Sequence, residues 1–517
     1  MKMRSALEGV GAALVLFPYY LPFFHPQNHD LFHHGLPVTH LIGGVLLDLL
    51  GASILMTAFL TLLPHLRAPA RKIVEALFAG LMLWSMAAFA LQLLLRLQSP
   101  LVFWNRMWER GSLPITLLIG ALCWYVPRVG RPAFRAIRLV LASLAFSTLW
   151  IVPQLMHLAL ARPPRASAGP SPSPEPAHAR ASRRIVWILF DELSYDQTFE
   201  HRAWDVALPN FDRLRAQSIS FSRLKPVGFA TDRIIPSLFL GRRIEKFRST
   251  IGGEFSYWDD KERRWLAYDP DETLFGLAQR NGWQTGVDGW YNPYCQTLAP
   301  VLNACYRDAG IVFVPMEEYG ASEEKSALEN AAALPDQFVA ALTHRQKTTA
   351  EEHIQAYRNI MARTEGLIDA SQLRFVFLHL PVPHPPGIYD RKQRRLRSGG
   401  DYLDNLVLAD ETLGTLLGEI DASPSAGQTT VIVSSDHSWR TSIWKPTESW
   451  TVEEERASGG KFDDRPVLLI RFPGEDSPED VRAALPELLE HDVIERMLQG
   501  QMVSREDLDL FLAQLNR

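Results

Sequence analysis

The division of the chain near residue 161 constrains the fold more than any other feature. Before that point long apolar runs recur; beyond it charged residues are spread as in a water-soluble domain. Five runs read as membrane helices, near 5–24, 40–64, 73–95, 113–127 and 138–160. All but the shorter fourth meet the length of roughly 20 apolar residues that crosses the hydrocarbon core. Lys2 and Arg4 give the first run the look of a signal peptide, yet no small-residue cleavage site follows, so it counts as a helix. Basic residues flank the amino terminus (Lys2, Arg4), the loop after the second run (Arg67, Arg71, Lys72) and the loop after the fourth (Arg128, Arg131, Arg135, Arg138). The loop between the first two runs has none, while Arg96, Arg106 and Arg110 after the third weaken the bias without reversing it. Five crossings from a cytoplasmic start put everything beyond 161 on the outer face.

Residues 162–183, rich in Pro, Ala and Ser, cannot bury a core and read as an extended linker. Strand-like runs then recur at 185–190, 284–288, 374–380, 429–433 and 466–471. Helical patterns fall at 209–217, 271–281, 325–367 and 402–420. The alternation predicts an α/β domain with a mostly parallel central sheet over 184–475. Residues 476–517 read as a helical tail with Leu485, Leu488, Leu489, Val493, Met497 and Leu498 on one face. The formal charge of −5 gives no reason to expect nucleic acid as a partner. Cys123 falls in the fourth run; Cys295 and Cys305 lie in the outer domain, where an oxidising compartment permits a bridge that spacing alone does not decide.

Two of the strands run straight into charge: 185–190 into Asp191 and Glu192, and 429–433, after two serines, into Asp436 and His437. Ligands of open α/β sheets gather beyond the carboxyl ends of the strands. Each pair alone is an ordinary turn or helix cap. Brought together, carboxylates and an imidazole need a cation between them, and the donor set suits zinc or manganese. Thr231, at the head of the helix-like "TDRIIPSLFLGR", supplies a hydroxyl that metal coordination can activate to attack phosphorus. Free N–H groups at a helix start suit a phosphate oxygen. His384, in "HLPVPHPP", can donate to an anion.

The outer domain resembles the alkaline phosphatase superfamily in its sulfatase-like branch, over roughly 184–473. The resemblance rests on six segments in order: "IVWILFDELS", "LPNFDRLRAQSISFSRL", "TDRIIPSLFLGR", "FVFLHLPVPHPPGIYD", "YLDNLVLADETLGTLL" with "TTVIVSSDHS", and "KFDDRPVLLIRFPG". It implies one divalent metal, zinc or manganese, held by Asp191, Thr231, Asp436 and His437, with Glu192 as an additional ligand. Thr231 would also be the nucleophile, and His384, with His379 and Arg233, would hold substrate. Sulfate ester hydrolysis is disfavoured, because the Cys/Ser-x-Pro-x-Arg loop of true sulfatases is missing. Thr in its place, after membrane helices, is similar to the lipoteichoic acid synthases and the lipid A phosphoethanolamine transferases, although both have Glu where this chain has Asp191. The resemblance implies a multi-pass enzyme of the bacterial cytoplasmic (inner) membrane with its catalytic domain on the periplasmic or extracellular side. It would move a phospholipid headgroup to an envelope glycan or lipid. The alternatives are a membrane-anchored phosphate or phosphonate ester hydrolase, and an inactive glycolipid-binding relative.

Overall fold

The computed structural model describes residues 2–24, 38–95, 127–160, 183–249, 255–308, 325–333, 349–447, 449–459 and 462–515. The chain divides into two compact units: residues 1–163 with 248–254 and 313–346, and the remainder.

The described helices of the first unit are α1 (Lys2–Leu16), α2 (Thr39–Leu62), α3 (Ala68–Leu95), α4 (Pro127–Leu144) and α5 (Thr148–Ala159). Glu8 of α1, fully buried, accepts from Arg138 Nε of α4 at 2.7 Å and from Arg4 Nε at 2.9 Å, so the acid is doubly compensated. Two stretches among the described residues, Thr39–His65 and Pro132–Ala159, are long and apolar enough to cross a membrane. They leave Ile54, Leu55, Leu149 and Trp150 exposed, an apolar surface that asks for a non-aqueous neighbour. They coincide with the second and fifth expected spans. The first appears as the shorter α1, followed by a 3-10 segment Pro18–Phe24; the third falls within α3; the fourth, 113–127, lies outside the described residues, as does the linker through 182.

The second unit is built on an eight-stranded sheet: β1 (Arg184–Phe190), β2 (Ile219–Phe221), β3 (Gln284–Trp290), β4 (Ala304–Asp308), β5 (Leu373–Leu380), β6 (Thr429–Ser435), β7 (Leu468–Arg471) and β8 (Glu479–Val481). The order across the sheet is β8-β2-β7-β6-β1-β5-β3-β4, and only β7 runs antiparallel to its neighbours. At the centre Ile188 faces Val433 on one side and Leu378 on the other. All seven residues of β1 are buried, which is why it reads as an unbroken apolar run rather than an alternating one. Both faces are covered. Trp187 packs on Phe377 at 4.6 Å, over the helices α7 (Thr231–Leu240) and α8 (Leu274–Arg280). Phe190 packs on Phe211 of α6 (Pro209–Arg215) at 5.6 Å, with α9 (Thr349–Asp369) and α10 (Tyr402–Ala422) on that same side.

The tail departs from expectation. Residues 479–481 form β8, parallel to β2, and Leu485–Pro486 pairs with Leu224–Lys225. Helix begins only at α11 (Leu489–Leu498) and continues with α12 (Arg505–Leu515). Its apolar positions Leu485, Leu489, Val493, Met497 and Leu498 are buried, as expected of the packed face; the open backbone edge of β2 recruits the residues before them as strand. The expected helix 325–367 begins, in the second unit, at Thr349, and its residues 334–348 lie outside the described set. Cys295 and Cys305 form a disulfide.

Candidate active site

The carboxyl ends of β1 and β6 lie side by side, with Phe190 opposite Ser435. That register brings Asp191 and the Asp436–His437 pair together from opposite ends of the chain. Thr231 is the first residue of α7, and its Oγ1 donates to Asp436 Oδ2 at 2.6 Å and lies 3.3 Å from His437 Nε2. His437 Nε2 is 3.1 Å from Asp436 Oδ2 and 3.8 Å from Asp191 Oδ1. Asp191, Asp436 and His437 each offer a ligand atom, all within 4.8 Å of one another, and all three are buried.

The electrostatics of this cluster are those of a carboxylate cage suited to a cation. Burial, and then the neighbouring Asp436, push the Asp191 carboxyl well above the ordinary range. Burial works against the Asp436 charge too, but His437 overcomes it and holds that carboxyl well below the usual range. His437 is pushed down by burial and carried above its ordinary value by Asp436. Asp191 Oδ1 is buried with no hydrogen-bond partner among the described residues. An orphaned carboxylate oxygen beside a second carboxylate, an imidazole and a hydroxyl is the donor set a divalent ion fits.

Glu192, in the left-handed region at φ 68°, turns its carboxylate to a different neighbour. Oε1 accepts from Arg440 N at 2.7 Å and from Trp444 Nε1 at 2.8 Å, and Oε2 lies 3.3 Å from Arg440 Nη2. Burial raises its pKa, and Arg440, with His384 and His437 adding to it, more than reverses that. Arg440 also donates to the Phe229 carbonyl at 3.4 Å, two residues before Thr231. Its Nη2 stands 3.3 Å from His384 Nε2. His384 Nδ1 faces the carbonyl of Pro385, and burial pushes the ring down to about 3. The neutral ring therefore donates to that carbonyl and accepts from the guanidinium.

His379 is fully buried, with burial pushing it down to about 4. Tyr294 Oη lies 2.7 Å from its Nδ1, and its Nε2 is 3.4 Å from Asp191 Oδ2. It backs the metal-ligand candidates rather than opening toward solvent. Arg233 is on the surface of α7, half exposed and 3.6 Å from Asp232. Sequence reasoning missed Arg440, Trp444 and Asn292, whose Nδ2 donates to the Thr231 carbonyl at 3.4 Å. Asn292 was within reach of the strand-end rule, being two residues past β3; Arg440 carries no such signal, because its partner comes from the far end of the fold.

The sulfatase family model matches residues 183–478, more than half of the chain. The chain belongs to the sulfatase family. No curated protein matches it. The solved structure of Ps i-CgsB in complex with k-i-k-neocarrahexaose is 15% identical at a TM-score of 0.41, covering 63% of this chain and 74% of that one. A phosphonate monoester hydrolase of Agrobacterium radiobacter is 14% identical at 0.38, covering 61% and 74%. A murine ectonucleotide pyrophosphatase/phosphodiesterase 5 is 10% identical at 0.36, covering 62% and 96%. As a sulfatase-family member the protein is an enzyme of the sulfatase-like type within the alkaline phosphatase superfamily. Divalent metal is that superfamily's cofactor, and the Asp191, Asp436, His437 cluster offers it a site.

Proposed function

We propose that this chain is a membrane-anchored, metal-dependent phosphotransferase. It would move a phospholipid headgroup, phosphoethanolamine or phosphoglycerol, to an envelope glycan or lipid through a phospho-threonine intermediate. One observation carries the reading: Thr231 Oγ1 sits at a helix start, 2.6 Å from Asp436 and 3.3 Å from His437. In the first step Thr231 Oγ1 bonds to the donor phosphorus while the bond to the diacylglycerol oxygen breaks, and the threonine proton ends on diacylglycerol. In the second an acceptor hydroxyl displaces Thr231, which regains a proton. A divalent ion held by Asp191, Thr231, Asp436 and His437 supplies the positive charge that acidifies the hydroxyl and steadies the phosphoryl oxygens.

Arg440 is the second cation of the site, fixed by Glu192 and His384, and we assign it to the phosphoryl oxygens with Arg233 as a lesser partner; His384, which accepts from Arg440 at Nε2, positions that guanidinium. With the divalent ion it offsets the three carboxylates Asp191, Glu192 and Asp436, so a monoanionic phosphodiester enters a neutral site. Phe462 lies edge-on to Phe229 at 6.4 Å and lines a cavity of about 700 Å³ with Trp204, Arg456 and Arg465, where we put the acceptor. The two apolar helices support the membrane anchor, and the Cys295–Cys305 disulfide supports an outer, oxidising compartment. On this reading the five spans follow from the apolar runs and the periplasmic side from the basic-loop bias.

The test is intact and peptide mass spectrometry on the full chain in detergent, with phosphatidylethanolamine or phosphatidylglycerol and manganese or zinc. A metal-dependent adduct on the Thr231 peptide, absent in Thr231→Ala, is expected, and its mass names the headgroup. Release of headgroup phosphate to water with no transfer to any acceptor would make the enzyme a hydrolase. No adduct and no release, with metal bound, would overturn the enzymatic assignment of Thr231.

A further inference from the structure

The carboxyl-terminal segment holds two fully buried acids that the chemistry above does not use, Glu487 and Glu490. Leu485 and Pro486 pair in parallel with Leu224 and Lys225, just before the loop that presents Thr231. The ladder goes one residue further, with Glu487 N donating to the Lys225 carbonyl at 2.9 Å. There the backbone pairing ends and a side chain takes over: Glu487 Oε2 accepts from Val227 N at 2.6 Å. Beyond Val227 the loop has two longer ties, Arg440 to the Phe229 carbonyl and Asn292 to the Thr231 carbonyl, both at 3.4 Å.

Glu490 completes the arrangement. Its N–H donates to the Glu487 carbonyl at 3.0 Å, and its carboxyl is stabilised by the neighbouring side chains of Ser434 and Trp187, which are themselves joined by a bond from Trp187 Nε1 to Ser434 Oγ at 2.8 Å. Ser434 lies two residues before Asp436 on β6. A single turn at the head of α11 thus touches both arms of the site, the loop leading to Thr231 and the strand leading to Asp436. We propose that Glu487 is a positioning residue for the nucleophile, through which the carboxyl-terminal segment holds the Thr231 loop against the metal-ligand strand.

The chemistry suits a neutral carboxyl. Among the described residues neither acid pairs with a cation, and Oε1 of each is buried with no partner there. Burial, with Glu490 adding to it, pushes Glu487 well above the ordinary range, and burial carries Glu490 to about 8. A protonated carboxyl still accepts through its carbonyl oxygen, so the bond to Val227 survives while the unfavourable burial of charge is avoided. The proposal uses Thr231 as the nucleophile only for its catalytic consequence; the latch on the loop is independent of that reading.

The experiment compares the full wild-type chain in detergent with Glu487→Met and Glu487→Gln. Met keeps the length of the side chain and removes the acceptor; Gln keeps an acceptor oxygen and no charge. Glu487→Leu is run beside Met as a second apolar replacement. The readouts are hydrogen exchange in the 224–232 peptide, manganese affinity by calorimetry and the melting temperature. We expect Met to melt near the wild-type temperature, exchange in the loop about tenfold faster and bind manganese about tenfold more weakly, the scale of one lost buried acceptor. Gln is expected to restore both. Unchanged manganese affinity in both apolar variants, or a Gln variant that behaves like Met, overturns the proposal. No readout uses a phospholipid. A chain that shows these differences and no threonine adduct keeps the latch and loses the transferase reading.

Discussion

At the residue scale the site turns on which carboxylate meets which cation. Glu192 follows a buried strand, so its presence at the sheet edge was legible, and ligation was the natural expectation for it. What its carboxylate faces was not legible, because Arg440 and Trp444 come from the other end of the chain and only the β1–β6 register brings them within 2.7–3.3 Å. Removing Arg440 leaves a fully buried anion without its partner. Arg440→Met is expected to destabilise the protein by about 3–5 kcal/mol at pH 7, the cost typical of breaking a buried pair from one side. The pH dependence carries a sign. With Arg440 present the Glu192 pKa is lowered in the fold, so its stabilisation is present above the ordinary glutamate range and is lost as pH falls through the folded value. Without Arg440, burial raises that pKa, and the destabilisation shrinks as the carboxyl protonates. Denaturant unfolding of both proteins at pH 7 and pH 4.5 checks this; a difference that stays constant or grows at the lower pH would rule out Glu192 as its source.

At the element scale the strands buried on both faces were the most readable parts of the molecule. β1, β5 and β6 appear as apolar runs because neighbours cover them on each side, and their ends locate the site. β2 and β4 were missed: one is three residues long, and the other, "ACYRD", is a half-exposed edge strand without alternation. The helix α7, which carries Thr231, was legible at its end, where Gly241 takes φ 65°. A Cβ there would also come within 2.5 Å of the His491 ring, whose Nδ1 is 2.7 Å from the Leu238 carbonyl. Gly241→Ala is expected to cost at least about 1–2 kcal/mol from the left-handed backbone alone, and more from displacing His491 and the α11 that carries it. Gly418 offers the opposite sign in the same fold. It lies on an exposed face of α10 with nothing near a new Cβ, so Gly418→Ala should stabilise by about 0.5–1 kcal/mol. If the two substitutions shift the unfolding midpoint alike, the helix-end geometry assigned to Gly241 is mistaken.

At the scale of the whole molecule, the fold class and most ligand candidates could be read, since both follow from apolar runs and what ends them. The donor headgroup and acceptor of the proposed transfer could not, because on that reading they depend on side chains such as Trp204, Phe229 and Phe462 that share no pattern in the chain. What the fold does expose is a stability inversion. Asp191 sits beside Asp436 with one oxygen unpartnered and its pKa raised by burial. In metal-free protein it stabilises only while protonated, below its ordinary range, and that contribution is lost as pH rises through its folded value. Asp191→Asn removes the penalty, so the metal-free variant should melt at or above the wild-type temperature at pH 6 and at pH 8, both above the ordinary aspartate range. Metal reverses the order. Ligation needs the deprotonated carboxylate, so wild-type affinity rises with pH, and a free ion at about 100 times its dissociation constant adds about 2.7 kcal/mol that the variant forgoes. Melting curves of both proteins at the two pH values, with manganese, with zinc and with a chelator, should therefore cross. Should Asp191→Asn lower the metal-free and metal-loaded melting points equally, Asp191 would be a structural carboxylate, and the ion would have to be held by Asp436, His437 and Thr231 without it.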